Sequence, residues 1–80
     1  MRKITKKELD SILQKHKKWL KGKEGGERAD LSDCDLDGAS LVGASLNGAS
    51  LNGASLNYAS LDGALLVGAS LNGNREKMPL

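Results

Sequence analysis

The chain has no phenylalanine and only one each of tryptophan, tyrosine, proline, cysteine and histidine in 80 residues. With Trp19 and Tyr58 as the sole aromatics, no bulky aromatic core is available, and whatever is buried must be aliphatic or small. A single proline excludes collagen. A single cysteine, Cys34, excludes an intrachain disulfide scaffold, and one Cys with one His leaves no zinc set. No apolar run approaches the roughly 18 residues of a membrane span, and no signal-peptide apolar region follows the basic N-terminus. The expected setting is a reducing cytoplasm, with no membrane partner.

What is abundant is leucine, alanine, serine and glycine, and their placement is regular. Leucine occupies positions 31, 36, 41, 46, 51, 56, 61, 66 and 71, nine times at a strict period of five. Two residues before each stands alanine, or Cys34 in one case. Two residues after stands glycine seven times, with Asp33 and Tyr58 as the exceptions. Serine directly precedes the leucine in six of the nine units, while Asp30, Asp35 and Leu65 precede the others. A period of five suits neither regular element. On a helix the leucines would precess by about 140° per repeat, and on a strand they would alternate faces. Asn-Gly pairs normally mark hairpins, but only three residues separate one pair from the next corner. The reading that fits is a chain that turns every five residues and winds into a solenoid.

The unit A-(S/D)-L-(N/D/V/S)-G resembles the A-(D/N)-L-x-x motif of the pentapeptide-repeat family over 45 of the 80 residues. The resemblance implies an all-β solenoid, a short right-handed quadrilateral β-helix with four units per circuit. The leucine and the small residue two before it would point inward. It also implies a helical cap at the N-terminus. The mostly Ser position before the leucine departs from the family's usual acidic or amide residue, which makes the outer surface less acidic.

Charge divides the chain into units. Residues 1–28 carry ten Lys/Arg against four Asp/Glu, whereas residues 29–73 carry five Asp and no basic residue. The organisation expected is an amphipathic N-terminal capping helix in 1–22, a Gly-rich linker in 23–28, nine repeats in 29–73 and a C-terminal tail in 74–80. Within the first unit, residues 5–21 read as helix, opened by the capping-box pair Thr5 and Glu8 and stopped at Gly22. Leu9, Ile12, Leu13, His16, Trp19 and Leu20 share an arc of about 120° and should pack on the first coil, with Trp19 as the main anchor and His16 as a packed structural residue. The linker would also permit the helix to reach a neighbouring chain and form a swapped dimer.

Several patterns imitate chemistry without completing it. Asp33-Cys34-Asp35-Leu36-Asp37-Gly38 reproduces the start of an EF-hand loop, but Ala44 stands where the bidentate Glu belongs. Gly43 to Gly48 has phosphate-loop spacing, yet no Gly-Lys-Ser/Thr follows. The repeat serines have no His or Lys among them to activate a nucleophile, and Cys34 occupies an inward position. No enzyme activity, cofactor or metal is therefore expected.

Nine repeats make little more than two circuits, and both ends of so short a solenoid leave leucines and backbone groups in need of cover. The function expected is a non-enzymatic structural or protein-interaction module that forms a homodimer through its coil ends or an exchanged helix. Candidate contacts are the outward Val42, Tyr58, Leu65 and Val67, with Leu66, Leu71 and Met78 at the last coil. The resemblance implies one alternative, a DNA mimic that binds DNA gyrase, and regular Ser/Asn ladders suggest another, an ice- or surface-binding protein. Short length and sparse negative charge weigh against the first, and the lack of threonine in the repeat and the small flat area weigh against the second. Nucleic acid is not expected as a partner, because no aromatics are interleaved with the lysines.

Overall fold

A computed structural model describes residues 1–73. Its elements in chain order are β1 (Arg2–Lys3), α1 (Lys6–Leu20) and β2 (Cys34–Asp35). The expected contacts Met78 and the rest of the tail lie outside the described residues.

The helix has local reasons to start and stop where it does. Thr5 is extended, and its hydroxyl accepts from the Glu8 amide while the Glu8 carboxylate accepts from the Thr5 amide. These reciprocal bonds satisfy two donors that the first turn would otherwise leave unpaired. At the other end, Gly22 adopts φ +67°, the Lys23 amide donates to the Lys18 carbonyl, and the Gly22 amide donates to Trp19. This is a Schellman closure, in which a left-handed glycine lets the chain fold back over the last turn.

From residue 29 onward the chain circulates. Parallel bridges join Asp30 to Ser50, Asp35 to Ser55, Ser40 to Ser60, Ser45 to Leu65 and Ser50 to Ser70, each pair 20 residues apart. Four five-residue units therefore complete one circuit. Among the described residues, regular strand is confined to β1 and β2. Elsewhere each side of the coil contributes one bridge between two corners, because five residues leave no room for more.

Each corner is closed by a bond from the small inward residue back to the preceding leucine, as from Ala39 to Leu36 and from Ala44 to Leu41, both at 3.0 Å. The third residue of every corner has positive φ, between 56° at Asp33 and 81° at Gly73. That is the requirement of a type II turn, which glycine meets without a Cβ penalty. Asp33 and Tyr58 adopt the same conformation as L-residues.

The interior is aliphatic. Leu31, Leu36, Leu41, Leu46, Leu51 and Leu56 are fully buried, together with Ala29, Cys34, Ala49 and Ala54. Two sets of bonds hold successive coils together. The backbone forms one, for example Leu36 amide to Ser55 carbonyl at 2.8 Å and Ser55 amide to Cys34 carbonyl at 2.9 Å. Outward side chains form the other. The Asp37 carboxylate accepts from the Asn57 amide, Asn47 Oδ1 from Val67 and Asn52 Oδ1 from Asn72, each at 2.9 Å.

β1 adds an element that the sequence reading does not contain. It lies under the first coil, parallel to β2, with Arg2 opposite Cys34 and Lys3 opposite Asp35. It stands where a preceding coil would run. The Arg2 guanidinium also donates to the Ser32 carbonyl at 2.9 Å and lies 4.0 Å from the Asp30 carboxylate.

Candidate functional site

At the lower end of the coil, α1 is held by a side chain with two backbone partners. His16 is completely buried. Its Nδ1 accepts from the Ala29 amide at 2.9 Å, and its Nε2 lies 2.8 Å from the Asn47 carbonyl oxygen. An amide can only donate and a carbonyl can only accept, so the ring is the neutral tautomer with its proton on Nε2. Elsewhere the inward Ala amide donates to the leucine carbonyl three residues before it, and the carbonyl equivalent to that of Asn47 accepts from the coil below; at the start of the coil both of these partners are missing. The imidazole therefore replaces a missing piece of backbone, a role that chemistry at a reactive centre does not require.

Leu9 joins the buried core, while Ile12 and Leu13 are partly buried against it. Trp19 and Leu20 behave differently from the expectation that made Trp19 the main anchor, being 41% and 40% exposed. The Trp19 ring stacks on His16 at 5.3 Å and runs beneath the corner at Gly48, so it covers the imidazole from the side and does not fill the interior. The physical reason is space. The interior is already filled by leucines and small residues, and only the helix face carrying Leu9 and His16 reaches it.

Gly26 is a determinant that the sequence reading misses. A Cβ there would lie 2.4 Å from the Trp19 nitrogen and 2.7 Å from the Lys18 carbonyl carbon. Glycine at this position lets the returning chain pass against the end of α1 on its way to Ala29. No local pattern distinguishes Gly26 from the neighbouring linker glycine, Gly25.

The acidic residues of the first coil are engaged with the fold. The Asp35 carboxylate accepts from the Asp37 amide at 3.1 Å, and the Asp37 carboxylate accepts from the Ser55 hydroxyl as well as the Asn57 amide. Among the described residues no group of three or more His, Cys, Asp or Glu is arranged to hold a metal ion. Hydrogen bonds from the Ser32 side chain and backbone, with help from Arg2 and Arg28, hold the Asp30 carboxyl below its ordinary value despite some desolvation. Cys34 is buried, and desolvation pushes its thiol up from the usual 9.0. A raised value disfavours the thiolate that a nucleophile needs.

The outward apolar residues separate into two places. Leu65 lies on the side of the coil between the Val42/Asp62 corner and the Asn47/Val67 corner, so Val42, Leu65 and Val67 flank one side. They are 60%, 51% and 77% exposed. Tyr58 is elsewhere, on the corner directly above Gly38, and is 93% exposed. At the upper end, Leu61, Leu66 and Leu71 are only partly buried, in contrast to the six leucines below them. Among the described residues, the amides of these three have no partner.

Among the described residues no helix is long and apolar enough to cross a membrane.

These features define a short coil of tandem five-residue units. Residues 29–66 match the family model for pentapeptide repeats in eight copies. The repeat block of this chain belongs to the pentapeptide-repeat family, whose repeats imply a β-helix solenoid. The unit at 69–73 lies beyond the matched residues, yet the Ser50–Ser70 bridge and the Ala69 to Leu66 corner bond continue the same register through it. Comparison with curated proteins returned no match.

Proposed function

We propose that the protein is a non-enzymatic interaction module, a short right-handed quadrilateral β-helix, that forms a homodimer by stacking the last coils of two chains. The observation carrying this reading is the difference between the coil ends. The lower end has α1, β1 and His16 against it. The upper end presents the half-covered Leu61, Leu66 and Leu71 beside unpartnered amides among the described residues. A second coil end supplies apolar cover and carbonyl acceptors together, which water alone does not.

Helix exchange is less well supported, because the His16 bonds and the close passage of Gly26 tie α1 to its own coil. A DNA mimic needs length and dense negative charge. The described residues extend only 35 Å in their longest dimension, and four of the five repeat aspartates lie between positions 30 and 37. For ice binding, the amide oxygens of Asn47 and Asn52 are already committed to the next coil.

The test is absolute mass by light scattering after size exclusion, over a roughly hundredfold dilution. A species at about twice the 8.4 kDa chain mass is expected, converting to monomer in a Leu66→Lys variant. A wild-type monomer at every concentration overturns the reading.

A further inference from the structure

The lower end of the coil is covered on only part of its circumference. Of the inward small residues of the first circuit, Ala29 and Cys34 are buried, whereas Ala39 and Ala44 are only partly so. On the open side lies a cleft of about 390 Å³ between the start of α1 and the edge of the first coil. Ile4, Leu9, Leu36 and Ala39 give it apolar walls.

Ser40 borders this cleft, and its backbone has an unused role. In the coil above, Ser60 turns both of its backbone groups toward the preceding circuit. Its amide donates to the Ala39 carbonyl at 2.9 Å, and its carbonyl accepts from Leu41 at 2.8 Å. Ser40 occupies the equivalent place in the first circuit. Its amide and carbonyl face the cleft and have no partner among the described residues.

The neighbouring side of the same edge shows what fits. There β1, two basic residues in extended conformation, pairs in parallel with Cys34–Asp35. After Lys3 the chain departs through Ile4 into the helix, and the rung stops one side short of Ser40. Asp10 and Asp35 border the vacant place with Lys6, and Lys3 of β1 stands opposite Asp35, while the Asp37 carboxylate turns up to the second coil.

We propose that this edge is a docking site for an extended basic segment of a partner protein. The segment adds as a parallel strand beneath Ser40, with an aliphatic side chain in the cleft and Lys or Arg side chains toward the Asp10 and Asp35 carboxylates. Main-chain bonds to Ser40 supply affinity, and the acidic border selects charge. The site is independent of the upper coil end, so it stands or falls separately from dimerisation.

The test uses the full chain and a fluorescein-labelled Gly-Arg-Lys-Ile-Gly peptide, read by anisotropy at low salt. Saturable binding is expected below about 1 mM, with weakening of at least roughly tenfold when the two basic residues of the peptide are replaced by glutamate. Ser40→Pro removes an amide the fold does not use and should weaken binding by about tenfold or more. Asp10→Lys changes an exposed helix residue and should weaken it without affecting the coil. Circular dichroism melts verify that each variant is folded. If Ser40→Pro fails to fold, Asp10→Lys and the glutamate peptide decide the matter. Absence of saturation, equal binding of the glutamate peptide, or unchanged binding to both folded variants overturns the proposal.

Discussion

The imidazole of His16 bridges two backbone groups 18 residues apart in the chain, taking the Ala29 amide on Nδ1 and giving its Nε2 proton to the Asn47 carbonyl. It closes the underside of the coil at two points. Removing it takes away the partner of a buried amide and of a part-buried carbonyl. His16→Ala should therefore destabilise the fold by about 3 kcal/mol, read as a shift in urea midpoint at unchanged slope. His16→Gln, whose amide donates to Asn47 but offers Ala29 no well-placed acceptor, should fall between the two. A loss below roughly 0.5 kcal/mol for His16→Ala would show that the bonds are exchangeable with solvent.

Tyr58 holds φ +62° at a corner where most units have glycine. An L-residue in that conformation carries a backbone cost of about 1–2 kcal/mol, and the 93% exposed ring recovers little of it by packing. Tyr58→Gly is expected to raise the melting temperature, although glycine's greater freedom in the unfolded chain trims the gain. An unchanged or lower melting temperature would mean that the ring makes compensating contacts in solution.

Val42 breaks a pattern of side-chain bonds running up the corners. Asp37, Asn47 and Asn52 each accept from the amide 20 residues on, but a valine has no acceptor to give Asp62. Val42→Asn should supply it and stabilise the fold by about 1 kcal/mol in urea denaturation. Val67→Asn is the control. No described residue lies above it, so the same change there should give no comparable gain.

Cys34 makes stability depend on alkaline pH. Burial pushes its folded-state value above the usual 9.0, so between the two values the unfolded chain releases a proton that the folded chain retains. Stability from this group is complete below pH 9.0 and is lost as pH rises from there through the folded value. The readout is the difference between wild type and Cys34→Ala, which cancels whatever else the two chains share. The wild type should lose stability faster with pH in the alkaline range, and parallel pH profiles would contradict the assignment.

The architecture was largely legible because it is written in spacing. Nine leucines five apart exclude both regular elements, and the family pattern adds four units per circuit, which the 20-residue bridges display. The helix start was legible too, since Thr5 and Glu8 form a local code. The underside was not. Nothing in Arg2 and Lys3 marks them as a strand, because a two-residue pairing exists only where an open edge meets it. Sequence reasoning ranked Trp19 above His16 by size and hydrophobicity, yet at a coil end the unmet demand is for hydrogen bonds. Gly26 was hidden among linker glycines because its constraint is a close approach in space.

The 20-residue register also sets the grammar by which this coil can be lengthened. Which residues look outward together depends on their positions modulo twenty. Inserting a single pentapeptide would still build a sound corner, but everything beyond it would turn by one side. Val42 would no longer share a side with Leu65 and Val67, and the Asn47 amide would face a different neighbour. Only insertion of a whole circuit keeps every column in phase. The core tolerates growth in fives, whereas the surface can be copied only in twenties.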